Sequence, residues 1–208
     1  GNGFDIVLVP AGLYSLTIPG KKEDACATGD LDLESGVALI GDGPGATVID
    51  GGALDRVVDR QSGGVNSLLR SVIVSDLTVR NGLVADEPGG GAGVLNNGLL
   101  LLENVELTGN EVTGTIEEGM GGGFRGGYMY GTATTLVRCS VHHNRAARCA
   151  GIFSSLDLEV RDTAVYENTA ETNSALCAYG ETLVTGSTFS RNQNPAYPTA
   201  GVVYLAAS

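Results

Sequence analysis

Tryptophan is absent from this 208-residue sequence, aromatic residues make up only 5% and charged residues only 17%. No apolar run approaches the roughly 18 residues that a membrane-spanning helix needs, so no membrane insertion is expected. Basic residues are few: 12 Lys and Arg stand against 24 Asp and Glu, and the formal net charge is −12. That charge repels the phosphates of nucleic acids and anionic lipids, so neither is an expected partner.

Histidine and cysteine are also scarce, which limits metal and thiol chemistry. The two histidines, His142 and His143, are adjacent, and neighbouring residues of a strand point to opposite sides. We therefore expect no metal site from this pair, and we predict no cofactor. The cysteines lack a Cys-x-x-Cys spacing; they permit disulfides in an oxidising compartment but do not require them. They are Cys26, Cys139, Cys149 and Cys177.

Glycine is abundant, with 32 residues, and short apolar runs recur along the chain. Since glycine is unfavourable in helices, this composition indicates a β-rich fold. Four segments repeat: LLENVELTGN, LVRCSVHHN, LEVRDTAVYEN and LVTGSTFSRN. Their last residues are 34, 24 and 24 positions apart and are Asn110, Asn144, Asn168 and Asn192. Apolar residues three and eight positions before each asparagine keep the same spacing.

A second motif follows the turns and joins small residues to one apolar residue, as in GAGV, GGGF, CAGI, NSAL and, at 199–202, TAGV. A unit of about 24 residues cannot bury its own apolar face, but stacked units can, because their strands pair in parallel. The predicted apolar columns are Leu102, Leu136, Val160 and Val184, and Leu107, Val141, Val165 and Phe189. The asparagines are expected to form a ladder at a turn, since asparagine tolerates left-handed backbone. The rival solenoid, a leucine-rich repeat, requires leucines where these units often have Val, Ile, Thr or Ala.

The whole chain is predicted to form one β-helix domain, with less regular rungs over 1–70 and regular repeats over 71–208. Alternation of Ile6 with Leu8 indicates a strand in the first part. Neither end shows the polar capping element that solenoids use. We therefore expect a longer protein, or ends covered by a like subunit or by neighbouring rungs.

Runs such as VLVPAGLYSLTI and ALIGDGPGATVIDGG, with the paired GGGF and FSRN motifs, resemble right-handed parallel β-helix proteins of the pectin-lyase-like superfamily. The units are similar to the GGA[ILV] and FxxN repeats of bacterial polymorphic outer-membrane proteins, with Phe189 and Asn192 in the FxxN positions. The resemblance covers most of the chain. It implies an all-β, right-handed parallel β-helix at the cell surface or outside the cell. It does not imply one activity, because the superfamily includes enzymes and adhesins.

In lyases of that superfamily, acidic residues on adjacent rungs hold Ca²⁺ and a nearby Arg or Lys acts as base. Column alignment gives the nearest approach to such a group, a set of fallback catalytic candidates: Arg138, His142, Asp162 and Tyr166. The favoured interpretation is a solvated ladder in which opposite charges on neighbouring rungs avoid repulsion. His143, Glu167 and Arg191 are likewise interpreted as a surface charge ladder.

Two acidic features remain. Asp30, Asp32 and Glu34 alternate with leucines, so three carboxylates share one face and could bind Ca²⁺, although a solvated strand face is the favoured interpretation. Insertions that follow the asparagine turns lie at 83–90, 111–119 and 193–199. Such loops often build a binding surface, here for an extracellular glycan or protein. Their acidic residues are Asp86, Glu87, Glu111, Glu117 and Glu118.

The same alignment bears on the cysteines. It puts Cys177 beside Phe153 rather than Cys149, which argues against a bridge between the two cysteines unless a bulge intervenes. Cys139 falls in an inward column and is predicted to be a buried thiol. The disulfide pattern is left open.

These features predict a non-enzymatic extracellular structural or adhesive module that self-assembles through its open ends. The alternative is a polysaccharide-acting enzyme, a lyase, hydrolase or epimerase. The absence of tryptophan and the low aromatic content weigh against a cleft in which sugars stack on rings.

Overall fold

The computed structural model describes residues 4–21, 27–33, 36–61, 70–85, 89–115, 119–127, 132–196 and 203–206. Within those ranges the chain forms 23 strands in three parallel sheets, and none of these residues is helical. None of these ranges therefore offers a helix long and apolar enough to cross a membrane. The predicted all-β, parallel β-helix fold is confirmed.

The first sheet has twelve strands in two columns, because each rung bends in the middle of this sheet. The first column comprises β1 (Asp5–Leu8), β4 (Val37–Ile40), β7 (Ser71–Arg80), β10 (Leu99–Thr108), β13 (Ala133–Val137), β17 (Asp157–Arg161) and β21 (Thr182–Thr185). The second column comprises β2 (Gly12–Ser15), β5 (Thr47–Asp50), β14 (Ser140–His142), β18 (Ala164–Tyr166) and β22 (Thr188–Ser190), with the second halves of β7 and β10.

The chain then passes through two smaller sheets before it returns to the first. The second sheet comprises β8 (Leu83–Val84), β11 (Glu111–Val112), β15 (Arg145–Arg148) and β19 (Thr169–Thr172). The third comprises β3 (Leu31–Asp32), β6 (Val58–Arg60), β9 (Val94–Asn96), β12 (Phe124–Gly126), β16 (Ile152–Ser154), β20 (Leu176–Ala178) and β23 (Val203–Leu205).

The strand register confirms the predicted apolar columns. Leu102 pairs with Leu136, and the pairing continues through Val160 to Val184. The second column runs in the same way from Leu107 through Val141 and Val165 to Phe189. Leucines and valines of both columns in the middle rungs are fully buried, so equivalent positions of successive rungs form one continuous core.

From β7 onward, left-handed residues turn the rungs at three corners. The first corner divides the first sheet and is formed by Asp76, Asn104, Arg138, Asp162 and Gly186. The second follows that sheet and is formed by Asn81, Gly109, His143, Glu167 and Arg191. The third precedes the third sheet and is formed by Gly91, Gly121, Cys149 and Asn173. The left-handed conformation expected for the repeat asparagines is therefore found one residue earlier, which leaves the asparagine free to turn inward.

The four repeat asparagines are stacked and joined by their amides. The Nδ2 group of Asn144 donates to Oδ1 of Asn168 and to the carbonyl of Leu107, each at 3.0 Å. Its Oδ1 accepts from the backbone N–H and the Nδ2 group of Asn110, each at 3.0 Å. The same pattern joins Asn168 to Asn192. Each amide thus satisfies buried backbone groups that the corner leaves unpaired.

Small residues before the third sheet allow the rungs to approach closely. A Cβ atom at Gly151 would lie 2.4 Å from the carbonyl oxygen of Ala175, which no larger residue could tolerate. The apolar column that follows is confirmed from Val94 to Leu176, but its last member is Val203, not the expected Val202.

Candidate functional site

The four fallback catalytic residues divide between two parts of the first sheet. Arg138 and Asp162 lie at the first corner, where both have positive φ angles of 53° and 49°. The Arg138 side chain is 58% exposed and forms an ion pair with Glu103. These two residues therefore terminate strands β13 and β17, while His142 and Tyr166 lie in the second column.

His142 and Tyr166 are brought together by the parallel pairing of β14 with β18. They are direct register partners, and their rings stack with centroids 4.6 Å apart and planes inclined by 12°. From the following rung, the Arg191 guanidinium lies over the Tyr166 ring at 5.8 Å. Both faces of the Tyr166 ring are therefore covered by protein side chains.

His142 and His143 do not point to opposite sides, and the argument that separated them is wrong. Strand β14 ends at His142, and His143 takes a left-handed φ of 54°, which breaks the alternation of a strand. The Nδ1 atoms of the two rings lie 2.7 Å apart. The side chain of His142 is 12% exposed and that of His143 is 59% exposed. The pair therefore lies at the surface, with the His142 ring largely covered and the His143 ring open to solvent.

Each histidine of the pair also contacts a glutamate through Nε2. Glu106 Oε1 lies 3.0 Å from Nε2 of His142, and Glu167 Oε2 lies 3.0 Å from Nε2 of His143. Burial raises the pKa of Glu106, but hydrogen bonds from Thr78 and His142 outweigh it and leave the pKa below its ordinary value. Glu106 is therefore ionised at neutral pH. Arg191 pairs with the other oxygen of Glu167 at 2.6 Å, so the predicted charge ladder of the second corner includes a real ion pair.

A second cluster of charges lies at the N-terminal rungs of the third sheet. Asp30, Asp32 and Asp59 each offer a carboxylate oxygen within 4.8 Å of the others. Asp30 and Asp32 are only 9% and 7% exposed, so the expectation of a solvated strand face is wrong. Arg56 contacts Asp30 and Asp59, each at 3.3 Å. Glu34, the third acid of the sequence pattern, lies outside the described residues.

The charges of this cluster are only partly balanced by Arg56. Burial raises the pKa of Asp30 to about 7, against the opposing charge of Arg56, and Asp59, Asp32 and Asp55 raise it further. One carboxyl group of the cluster thus holds a proton up to neutral pH. Carboxylate oxygens at these distances suit Ca²⁺, although the Arg56 guanidinium already supplies a positive charge beside them.

The later rungs of the third sheet carry an arginine and aromatic column on their outer side. The Arg125 guanidinium lies 5.5 Å from the centre of the Phe153 ring, which is 5.7 Å from that of Tyr179. Arg125 is 1% exposed, and burial together with the charge of Arg56 lowers its pKa to about 10. It therefore remains charged at neutral pH.

The structure joins Cys149 to Cys177 in a disulfide with a Cα–Cα distance of 5.6 Å. The predicted pairing of Cys177 with Phe153 is confirmed. The prediction that this pairing disfavours the bridge is wrong, because Cys149 lies at a left-handed corner that directs its side chain toward the next rung. Cys139 is a buried free thiol, and burial raises its pKa to about 11. Cys26 lies outside the described residues.

A groove of about 300 Å³ lies over the second sheet, on the side of the predicted loops. Glu111 and Arg145 line it and form an ion pair at 3.7 Å, and Glu171 and Pro195 lie at its other side. Of the predicted loop acids, Glu111 thus contributes to a concave surface. The others, Asp86, Glu87, Glu117 and Glu118, lie outside the described residues.

Three residues of these sites were not among the candidates named from the sequence: Glu106 beside His142, and Arg56 and Asp59 beside Asp30. Glu106 could have been found, because it lies two residues from Thr108 on the same side of β10, and Thr108 pairs with His142. Arg56 and Asp59 could not, since the irregular spacing of the first rungs does not define which of their residues are neighbours.

Comparison with known proteins adds little to this geometry. No protein-family profile matches the chain, and no curated protein matches it significantly. Among solved structures, the A-module of a mannuronan C-5 epimerase from Azotobacter vinelandii matches with 13% identity, over 98% of this chain and 89% of that chain, with a TM-score of 0.25. The assignment as a parallel β-helix rests on the strand pairing described above.

Proposed function

We propose that this chain is a structural and adhesive β-helix module of an extracellular protein, without catalytic activity. The observation that carries the proposal is the engagement of three of the four fallback catalytic side chains in contacts between rungs. His142 binds Glu106, Arg138 binds Glu103, and Tyr166 is covered on both faces. These contacts run along the solenoid and support its stacking, and the Tyr166 ring offers no free face on which a sugar could stack.

The adhesive surface we propose is the groove over the second sheet. Concave surfaces of solenoids are common binding sites, and described residues of two of the predicted insertions, Thr113 and Pro195 among them, line this one. Glu111 and Arg145 give it charges of both signs, which suits a glycan or protein partner. Substitution of Arg145 by Glu would then weaken binding to an extracellular partner, whereas Arg161→Glu on the first sheet would not.

The proposed extracellular location is supported by the Cys149–Cys177 bridge, since disulfides persist in oxidising compartments. A non-reducing peptide map of the protein, alkylated at once in the organism that makes it, should contain the 149–177 cross-link. Recovery of both residues as alkylated free thiols would contradict this location.

One observation favours the alternative, a polysaccharide-acting enzyme. The Thr108 hydroxyl and the Glu106 carboxylate lie 3.2 Å and 3.0 Å from the two ring nitrogens of His142, an arrangement of hydroxyl, imidazole and carboxylate used in nucleophilic catalysis. Against it, His143 competes for the same Nδ1 atom.

A single experiment separates the two functions. Purified chain is incubated with a panel of neutral and uronic-acid polysaccharides, and the products are followed by new reducing ends, unsaturated ends and C5 inversion in proton NMR spectra. The adhesive module leaves every polymer unchanged, while binding on a glycan array responds to Arg145→Glu. Turnover that is lost in His142→Gln would overturn the proposal in favour of the enzyme.

A further inference from the structure

The histidine pair is arranged around a point that requires a positive charge. An ionised carboxylate has no proton to donate, so the hydrogen bond between His142 and Glu106 places a proton on Nε2 of His142. The Glu167 carboxylate lies 3.0 Å from Nε2 of His143 in an ion-pair contact and favours a proton there as well. In a neutral imidazole the other nitrogen, Nδ1, then carries a lone pair. The two Nδ1 atoms face one another at 2.7 Å, and two lone pairs repel at that distance unless a cation lies between them.

We propose that His142 and His143 form a binding site for a divalent transition metal ion such as Zn²⁺, held by the two Nδ1 atoms. Imidazole nitrogen suits Zn²⁺, Cu²⁺ and Ni²⁺, whereas Ca²⁺ and Mg²⁺ prefer oxygen. The site lies outside the groove and is independent of the adhesive role.

The surroundings of the two rings match those of metal-binding histidines. Such histidines usually donate their second ring N–H to a carboxylate, which fixes the tautomer and increases the basicity of the ligating nitrogen. Both rings have a carboxylate beside that nitrogen at 3.0 Å: Glu106 is hydrogen-bonded to His142, and Glu167 is in ion-pair contact with His143. Thr78 donates to Glu106 at 2.7 Å and Arg191 to Glu167 at 2.6 Å, so the carboxylates are themselves held in place.

The geometry allows the pair to open around an ion. With a Zn–N distance of about 2.0–2.1 Å and tetrahedral angles, two ligating nitrogens are roughly 3.3 Å apart. The Nδ1 atoms must therefore separate slightly from 2.7 Å, and His143, 59% exposed and just beyond the end of β14, can make that movement. The Thr108 hydroxyl, 3.2 Å from Nδ1 of His142, offers a weak third ligand, and water completes an open site.

The test is a Zn²⁺ titration of the whole chain at neutral pH, followed by calorimetry and by the imidazole nitrogen signals in NMR spectra. The chain has 2 histidines, so every imidazole signal belongs to this site. We expect one Zn²⁺ to bind at the histidines and to shift the Nδ1 signals of both rings, and we expect Ca²⁺ to leave those imidazole signals unchanged. His143→Ala should abolish binding, and Glu167→Gln should weaken it about 10-fold or more.

Tyr166→Phe is the matched control, since it keeps the ring stack beside His142 and removes no nitrogen ligand; its Zn²⁺ affinity should equal that of the unmodified chain. His143→Ala changes an exposed side chain, and its far-UV circular dichroism should show a folded β-helix. Zn²⁺ binding that survives His143→Ala would overturn the proposal. So would NMR signals of a proton shared between the two Nδ1 atoms that do not respond to Zn²⁺.

Discussion

The buried amide of a repeat asparagine shows how much one residue contributes to this fold. Asn144 is 1% exposed, and its side chain satisfies the Leu107 carbonyl and the Asn110 backbone N–H besides two neighbouring amides. Asn144→Ala leaves those buried groups unpaired, and each such group costs about 1–3 kcal/mol. We expect a loss of about 3 kcal/mol or more in the free energy of unfolding, measured by denaturant titration.

Asn192→Ala is the matched control for this prediction. Asn192 bonds the Val165 carbonyl and the Asn168 backbone N–H in the same way, but it is the last described member of the ladder and is only half-buried, so water can replace part of what its side chain supplies. Its replacement should cost clearly less. Equal losses for the two variants would mean that the ladder does not act through buried hydrogen bonds.

Asp30 makes the stability of the chain depend on pH. Its pKa is raised to about 7 in the folded chain, mainly by burial, from an ordinary value of 3.8. The folded state therefore holds this proton more tightly than the unfolded state, so its contribution is complete below about pH 4 and is lost as the pH rises through 7. Asp30→Asn, which imitates the protonated group, should flatten the fall in melting temperature between those limits.

Asp157→Asn provides the comparison for this pH dependence, because Asp157 is an exposed acid at the start of β17. Its melting curve should follow that of the unmodified chain at every pH. If Asp30→Asn also runs parallel to the unmodified chain, Asp30 does not hold the proton that its burial implies.

At the scale of the rung, the left-handed corners explain why such different residues occupy equivalent positions. Asp76, Asn104, Arg138, Asp162 and Gly186 share little chemistry but share a positive φ. A β-branched side chain is strained in this conformation, by roughly 1–2 kcal/mol, while glycine adopts it freely. Arg138→Val should therefore destabilise the chain by about that amount, and Arg138→Gly should be at least as stable as the original, because an exposed ion pair contributes little.

Arg161→Val is the appropriate comparison for the corner. Arg161 is also exposed, but it lies in β17, where valine is favourable, so its replacement should be neutral or stabilising in the same thermal unfolding experiment. If Arg138→Val is as stable as Arg161→Val, the corner does not impose the strain that its backbone angle implies.

The contrast between strands and corners also shows what could be predicted from sequence. The columns through Leu102 and Leu107 were predictable because their regular spacing in the sequence aligns equivalent residues of successive rungs, and this alignment does not depend on the backbone conformation at the corners. The contacts of His143 and Cys149 were not, because both lie at corners, where one left-handed residue redirects a side chain that strand alternation would send elsewhere. The Asp30 cluster was predicted only in part: Asp30 and Asp32 were candidates from the sequence, but Arg56 and Asp59 were not, since the rungs that form the cluster have no regular period.

At the scale of the whole molecule, the two end rungs carry apolar residues at positions that are core positions in the rungs next to them. Val7 is 46% exposed, whereas its register partner Leu39 is 7% exposed and Val74, on the rung after, is fully buried. At the other end Val203 is 37% exposed beside a fully buried Leu176. A further rung on either side would bury these side chains and pair the open strand edges.

The chain as an isolated protein should therefore associate end to end, through contacts between unlike ends that can continue into longer particles. Sedimentation velocity should show the weight-average mass rising with concentration, and Val7→Lys or Val203→Lys should each suppress the rise, because a lysine at either end opposes strand pairing and burial. Thr135→Lys, on the outward side of a middle rung, should leave association unchanged. A strictly monomeric chain over the whole concentration range, or equal loss of association in Thr135→Lys, would mean that the exposed end rungs are not contact surfaces between copies.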